Sequence, residues 1–128
     1  MADIEQELLA LNQRLLEAIA KADWAGYSEL CDPSLTAFEP EARGQLVTGL
    51  AFHKFYFDLG PPSGPRQVTM TAPHVRVIGD AAIVSYVRLN QKRDAGGIMA
   101  THAFEETRIW QKKDGRWRHI HFHRSAIG

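Results

Sequence analysis

The chain has 128 residues, enough for one domain and not two, and 45% hydrophobic with 23% charged residues is globular rather than disordered composition. Fifteen Lys and Arg balance fifteen Asp and Glu, which excludes a global field steering the protein to nucleic acid or an anionic membrane. Met1–Glu7 is too acidic and polar for a signal peptide, and no apolar run approaches the roughly 20 residues that span a bilayer, so a cytoplasmic protein is expected.

Ile4, Leu8, Leu11, Leu15 and Ile19 follow helical spacing, with Asp3 placed to cap and Gln6 three residues on. Asp23 offers a second cap to a short helix carrying Trp24, Tyr27, Leu30 and Cys31, which Pro33 stops. Cys31 is the only cysteine, so no intramolecular disulfide can form; near a helix end, without a basic neighbour, it reads as a buried, inert thiol. A brief extended piece over Leu35–Phe38 precedes an aromatic-rich third helix over Thr48–Leu59, and Gly60–Pro65 is a loop.

Beyond Pro65 the period changes to two. Strands are predicted for Gln67–Ile78, Ala81–Lys92, Ile98–Lys112 and Arg116–Ser125, with Gly79-Asp80 and Asp114-Gly115 as hairpin turns. Pro73 marks an edge strand or a bulge. Helices followed by a meander predict one α+β domain over 1–128, a curved antiparallel sheet with helices on its concave side, enclosing a pocket.

Alternation assigns faces. Arg88 falls with Val84 and Tyr86, Arg108 with Phe104, Glu106 and Trp110, and Arg124 with Ile120 and Phe122. Three arginines on consecutive strands thus face inward, and each needs a partner. One reading is a cavity for a small carboxylate or an acidic peptide side chain, since guanidinium groups suit planar anions. The other is internal pairing with Glu106, Glu39 or Glu41. Both stand at this point. His53 and Tyr27, on the covering helices, can reach the pocket mouth or simply pack. His119, His121 and His123 alternate on the opposite face, a polar exterior or subunit contact; adjacent members could share a zinc ion, but no Cys or placed carboxylate completes a site, so no metal is expected. Trp110 and Trp117 read as core or interface, and the charges of Gln111–Asp114 as solvated.

Cys31-Asp32-Pro33, Thr36–Ala42, Phe52–Phe57, Asp94–Ile98, Glu105–Arg108, Asp114–Trp117 and His121–Ser125 occur in the order and near-spacing of a known family. Across almost its whole length the chain resembles the association (hub) domain of calcium/calmodulin-dependent protein kinase II, free-standing. The resemblance implies the nuclear-transport-factor-2-like (SnoaL-like) fold, and homo-oligomers whose dimers stack into two rings of six or seven subunits. It also implies carboxylate binding by Arg88, Arg108, Arg124 and His53. The 60–66 loop is shorter than the family's, and Met99-Ala100 replaces a common Pro-Arg, so surfaces differ more than the fold. No ATP-binding loop, kinase catalytic loop, calmodulin-binding helix or calcium loop occurs in these residues, and no cofactor is expected.

The same cone hosts isomerases, dehydratases and cyclases elsewhere, so a small-molecule enzyme is the alternative, with Asp32, Glu39, Glu106, His53, Tyr27 or Tyr86 as candidate acid or base. Three cations would depress a neighbouring carboxyl and make it a poor base, which favours binding. On this reading Arg108→Ala weakens dicarboxylate binding without unfolding the domain.

Overall fold

The computed structural model describes residues 3–127. Helix α1 spans Asp3–Lys21 and α2 Trp24–Leu30, followed by β1 Cys31–Phe38, a single 3-10 turn, β2 Val47–Thr48 and α3 Ala51–Asp58. Four long strands complete the chain: β3 Arg66–Ile78, β4 Ala81–Arg93, β5 Met99–Lys113 and β6 Arg116–Ala126. With β1 and β2 they form one six-stranded sheet in the order β2-β1-β6-β5-β4-β3. The predicted meander is present. The β1–β6 pairing is parallel, however, so the sheet is mixed rather than wholly antiparallel.

Helix α1 buries Leu8, Leu15 and Leu16 against the sheet, but Ile4 is exposed and Asn12 takes the buried place between Leu8 and Leu15. Asp3 lies within α1 rather than capping it. Asp23 does cap α2, its carboxylate accepting from the Gly26 N–H at 3.0 Å. Pro33 does not stop a helix: α2 ends at Leu30 and the chain passes directly into β1. The β1–β6 register shifts between Cys31 and Thr36, and that irregularity accommodates Pro33, which has no N–H for the ladder. Helix α3 is shorter than predicted because Val47–Thr48 pairs with β1 and Gly49 turns at φ +78°.

Pro73 lies in an edge strand and at a bulge. The β3–β4 register shifts between Thr71 and His74, and Ala72 adopts φ +46°. A second bulge, between Ile109 and Trp110 in the β5–β6 ladder, pairs His121 with Ile109 and His119 with Trp110, leaving Ile120 over. Its extra residue resets the alternation of β6, as bulges do. Trp117 and His119 therefore point inward on one side of it, and Phe122 on the other. The prediction that His119 shares an outer face with His121 and His123 is thereby corrected: His119 is fully buried.

The core runs from Leu8, Leu15 and Leu16 through Tyr27, Leu35 and Ala37 to Val84 and Trp110. Asn12 bridges its polar groups, donating to the Tyr86 hydroxyl at 2.9 Å and accepting from Trp110 Nε1 at 3.0 Å. Paired in this way, a buried amide avoids the cost of an unmet donor or acceptor.

Candidate functional site

The inward row of β4, β5 and β6, with α2 and α3 above it, encloses a cavity of about 300 Å³. Arg88, Arg108, Arg124, His53 and Tyr27 all line it, so the structure brings together every site residue expected from sequence. It also supplies partners. Glu106, whose side chain is fully buried, accepts from Arg108 Nε at 2.9 Å and from the Tyr86 hydroxyl at 2.5 Å, and its second oxygen lies 3.0 Å from an Arg88 terminal nitrogen. Arg124 pairs with Glu41 and approaches Glu39 at 3.7 Å, while Glu39 also meets His53 Nε2 at 2.7 Å. Both readings of the arginines therefore describe the same groups. They line a cavity, and three carboxylates balance three guanidiniums.

The balance is uneven. Burial lowers the proton affinity of Arg108, but Glu106 more than offsets this and raises it above the ordinary guanidinium value. For Arg88 burial wins: Glu106 pulls the other way, yet the neighbouring Arg108 and Arg124 add to the lowering. One carboxylate cannot fully compensate two cations, and Arg108 holds the better share. The Arg88–Glu106 contact is a close ion pair without hydrogen-bond alignment, and Arg88 Nε, Glu106 Oε2 and His53 Nδ1 are buried with no hydrogen-bond partner among the described residues. The guanidinium faces are occupied by rings instead. Arg88 and Arg124 lie over Phe104 at 5.2 and 4.9 Å, and Arg108 over Phe122 at 4.3 Å.

These electrostatics bear on proton-transfer chemistry. Burial raises the Glu106 carboxyl, but Arg108 and Arg88 outweigh it and hold the group below its ordinary value, which makes it a weak base. Cys31 Sγ lies 3.4 Å from His119 Nδ1, superficially a nucleophile and its base. Burial pushes the Cys31 thiol up to about 12, and His119 is held well below the usual imidazole value by burial and by Arg108. An Arg108 terminal nitrogen sits 3.4 Å from His119 Nε2 and can only donate there, which places the imidazole proton on Nδ1, facing sulfur. The pair is a packing contact, as the inert reading of Cys31 expects.

On the outer face of β6, Thr36 Oγ1 meets His121 Nδ1 at 2.7 Å, and Phe38 packs on His123 at a centroid separation of 5.5 Å. Trp110 and Trp117 are core, and Lys112, Lys113 and Asp114 are exposed around the turn. Sequence reasoning did not select Asn90 and Lys92, which continue the inward row of β4 beyond Arg88 and line the same cavity. Their signal was the two-residue spacing itself.

Known proteins share the sequence and the fold of this chain. The chain is 50% identical over 124 residues to the Drosophila melanogaster calcium/calmodulin-dependent protein kinase type II alpha chain, which covers 94% of this chain and 23% of the relative. It thus spans about a quarter of that curated kinase's length. The association domain of the Caenorhabditis elegans kinase superposes with a TM-score of 0.91 at 46% identity, covering 96% of this chain and 95% of that one. A hub homology domain from Chlamydomonas reinhardtii gives 0.89 at 51% identity, over 98% and 99% of the two chains. A nuclear-transport-factor-2-like protein from Salmonella enterica shares the fold alone, at a TM-score of 0.81 and 22% identity over 99% and 93% of the chains. The model of the calcium/calmodulin dependent protein kinase II association domain matches residues 4–128, and the chain belongs to that family.

Proposed function

We propose that this domain assembles into a multi-subunit hub, dimers stacking into two rings, and that its arginine-lined cavity accepts a carboxylate. Family membership supports assembly, and so does α3. This short helix turns His53 inward while leaving Phe55, and Leu59 one turn on at its C-cap, 62% and 69% exposed. Scattered exposed apolar residues need no explanation, but two large ones on one helical face suit a covered surface.

The carboxylate reading is carried by Arg88, a buried guanidinium with an unpartnered Nε on the cavity wall. A carboxylate there gains charge-assisted hydrogen bonds that Glu106 does not supply. A free small acid is favoured over an acidic peptide, because Arg88 is only 7% exposed.

Arg108→Ala is a poor probe for this site, since it would strand the buried Glu106 carboxylate. Arg88→Lys keeps the cation and loses the planar fork. Titration calorimetry should show small carboxylates binding the unmodified protein and binding Arg88→Lys about tenfold more weakly, with unfolding midpoints close to each other. No heat of binding from any small carboxylate overturns the ligand half. Light scattering on a sizing column at two concentrations tests the assembly half: a mass many times that of one 14.4 kDa chain is expected. A mass of one or two chains overturns it.

A further inference from the structure

The cavity does not end at the arginines. A second hollow of about 150 Å³ opens between the end of α1, the loop before β3 and the open ends of β3 and β4. It shares Ile19, Arg88, Asn90 and Lys92 with the arginine cavity, so the two are one cleft with Arg88 at its waist. Its charge differs from that of the first part. Arg66, Arg88 and Lys92 line it, and among the described residues no Asp or Glu does.

Arg66 and Lys92 stand directly opposite each other in the β3–β4 register, an arrangement that costs stability unless an anion bridges it. Arg66 is partly committed, donating to the Ala20 carbonyl near the end of α1. Lys92 has no hydrogen bond or ion pair among the described residues. Of the acids around the cleft, Glu17 lines an adjoining hollow with Lys21 and Arg66 and accepts from Gln13 at 3.1 Å, while Glu39 and Glu41 line the arginine cavity and are engaged by His53 and Arg124. Arg88 and Lys92 lie four residues apart on the same face of β4, roughly 13 Å between Cα atoms, and long side chains can close from both ends.

We propose that the cleft is bipolar and binds a linear dicarboxylate, one carboxylate at Arg88 in the arginine cavity and the other at Lys92 and Arg66. The inference rests on the carboxylate reading above and adds the class of ligand. Between the poles Asn90 contributes one amide opposite Val68, and Ile19 and Leu16 make the rest of the wall apolar, which suits a largely methylene chain.

The test is calorimetry with succinate, adipate and suberate, each against the monocarboxylate of equal carbon number, on the unmodified protein and on Lys92→Gln. Lys92 is exposed, so this variant keeps the fold, which an unfolding midpoint verifies. The longer dicarboxylates should bind about threefold to fivefold tighter than their monocarboxylate partners, the worth of one partly exposed ion pair. In Lys92→Gln that advantage should vanish, each dicarboxylate binding no tighter than its monocarboxylate partner in the same variant. Equal binding of both series, or an advantage that survives in Lys92→Gln, overturns the bipolar cleft and leaves the arginine site standing. Absence of binding by either series removes both.

Discussion

Replacing Glu106 by Gln removes one negative charge from between two buried cations and changes almost nothing in shape. Gln can still accept from Arg108 or Tyr86 through its carbonyl oxygen, so the loss falls on charge rather than on packing. Breaking a buried ion pair by neutralising one partner costs about 3–5 kcal/mol, and the retained hydrogen bond places this variant near 3 kcal/mol. For a domain of this size each kcal/mol moves the unfolding temperature by roughly 4 °C, so a drop of about 12 °C is expected at neutral pH. Both proteins must be compared at one concentration, because assembly adds to apparent stability by mass action.

The pH dependence sharpens this test. The folded Glu106 carboxyl is held below the value near 4.5 that it regains on unfolding, so its contribution is complete above that pH and fades as pH falls through the folded value. The gap between Glu106→Gln and the unmodified protein should narrow in acid. A neutral-pH difference below about 1 kcal/mol, or a gap that stays constant into acid, would refute the view that this carboxylate holds two arginines inside the domain.

Further predictions follow from the same groups. His119 is neutral in the folded domain, so its contribution is whole above the unfolded value near 6.5 and falls as pH drops below it. His119→Phe should therefore flatten stability against pH between about 6.5 and 5, by up to one proton; parallel curves would show that the imidazole titrates freely. Cys31 should resist thiol reagents in the native protein and react at once in denaturant, and rapid native labelling would contradict its burial. Leu59→Asp, at the exposed C-cap of α3, should lower the native mass on a sizing column with secondary structure retained. An unchanged mass would take α3 out of the assembly surface.

Much of this was legible from the order of residues. Two-residue alternation turned Arg88, Arg108 and Arg124 inward because β4 is regular and β5 is regular up to Trp110. The same rule failed at His119, because the bulge that leaves Ile120 over involves no glycine or proline and is visible only once β5 and β6 are paired. Asn12 could have been found, since it falls four residues after Leu8 where a buried stripe calls for an apolar group. β1 was half missed for a physical reason: Pro33 reads locally as a helix stop, whereas its place is fixed by a parallel pairing with a strand some 85 residues away in sequence, as the Thr36–His121 contact illustrates. Local signals cannot encode such a partner. The contest over Glu106, with Arg108 taking the larger share from Arg88, likewise depends on side-chain reach across strands.

The bulge in β6 divides one strand between two tasks. Before it, Trp117 and His119 belong to the closed interior; after it, Phe122 and Arg124 belong to the ligand-sized space. Without the extra residue, a strict two-step phase could not send both pairs inward, and one end of β6 would present its charges to the wrong side. Deleting Ile120 should therefore be far more damaging than substituting it, because deletion reverses the parity of every residue on one side. The position acts as a joint at which the cavity can vary its chemistry while the interior keeps its own.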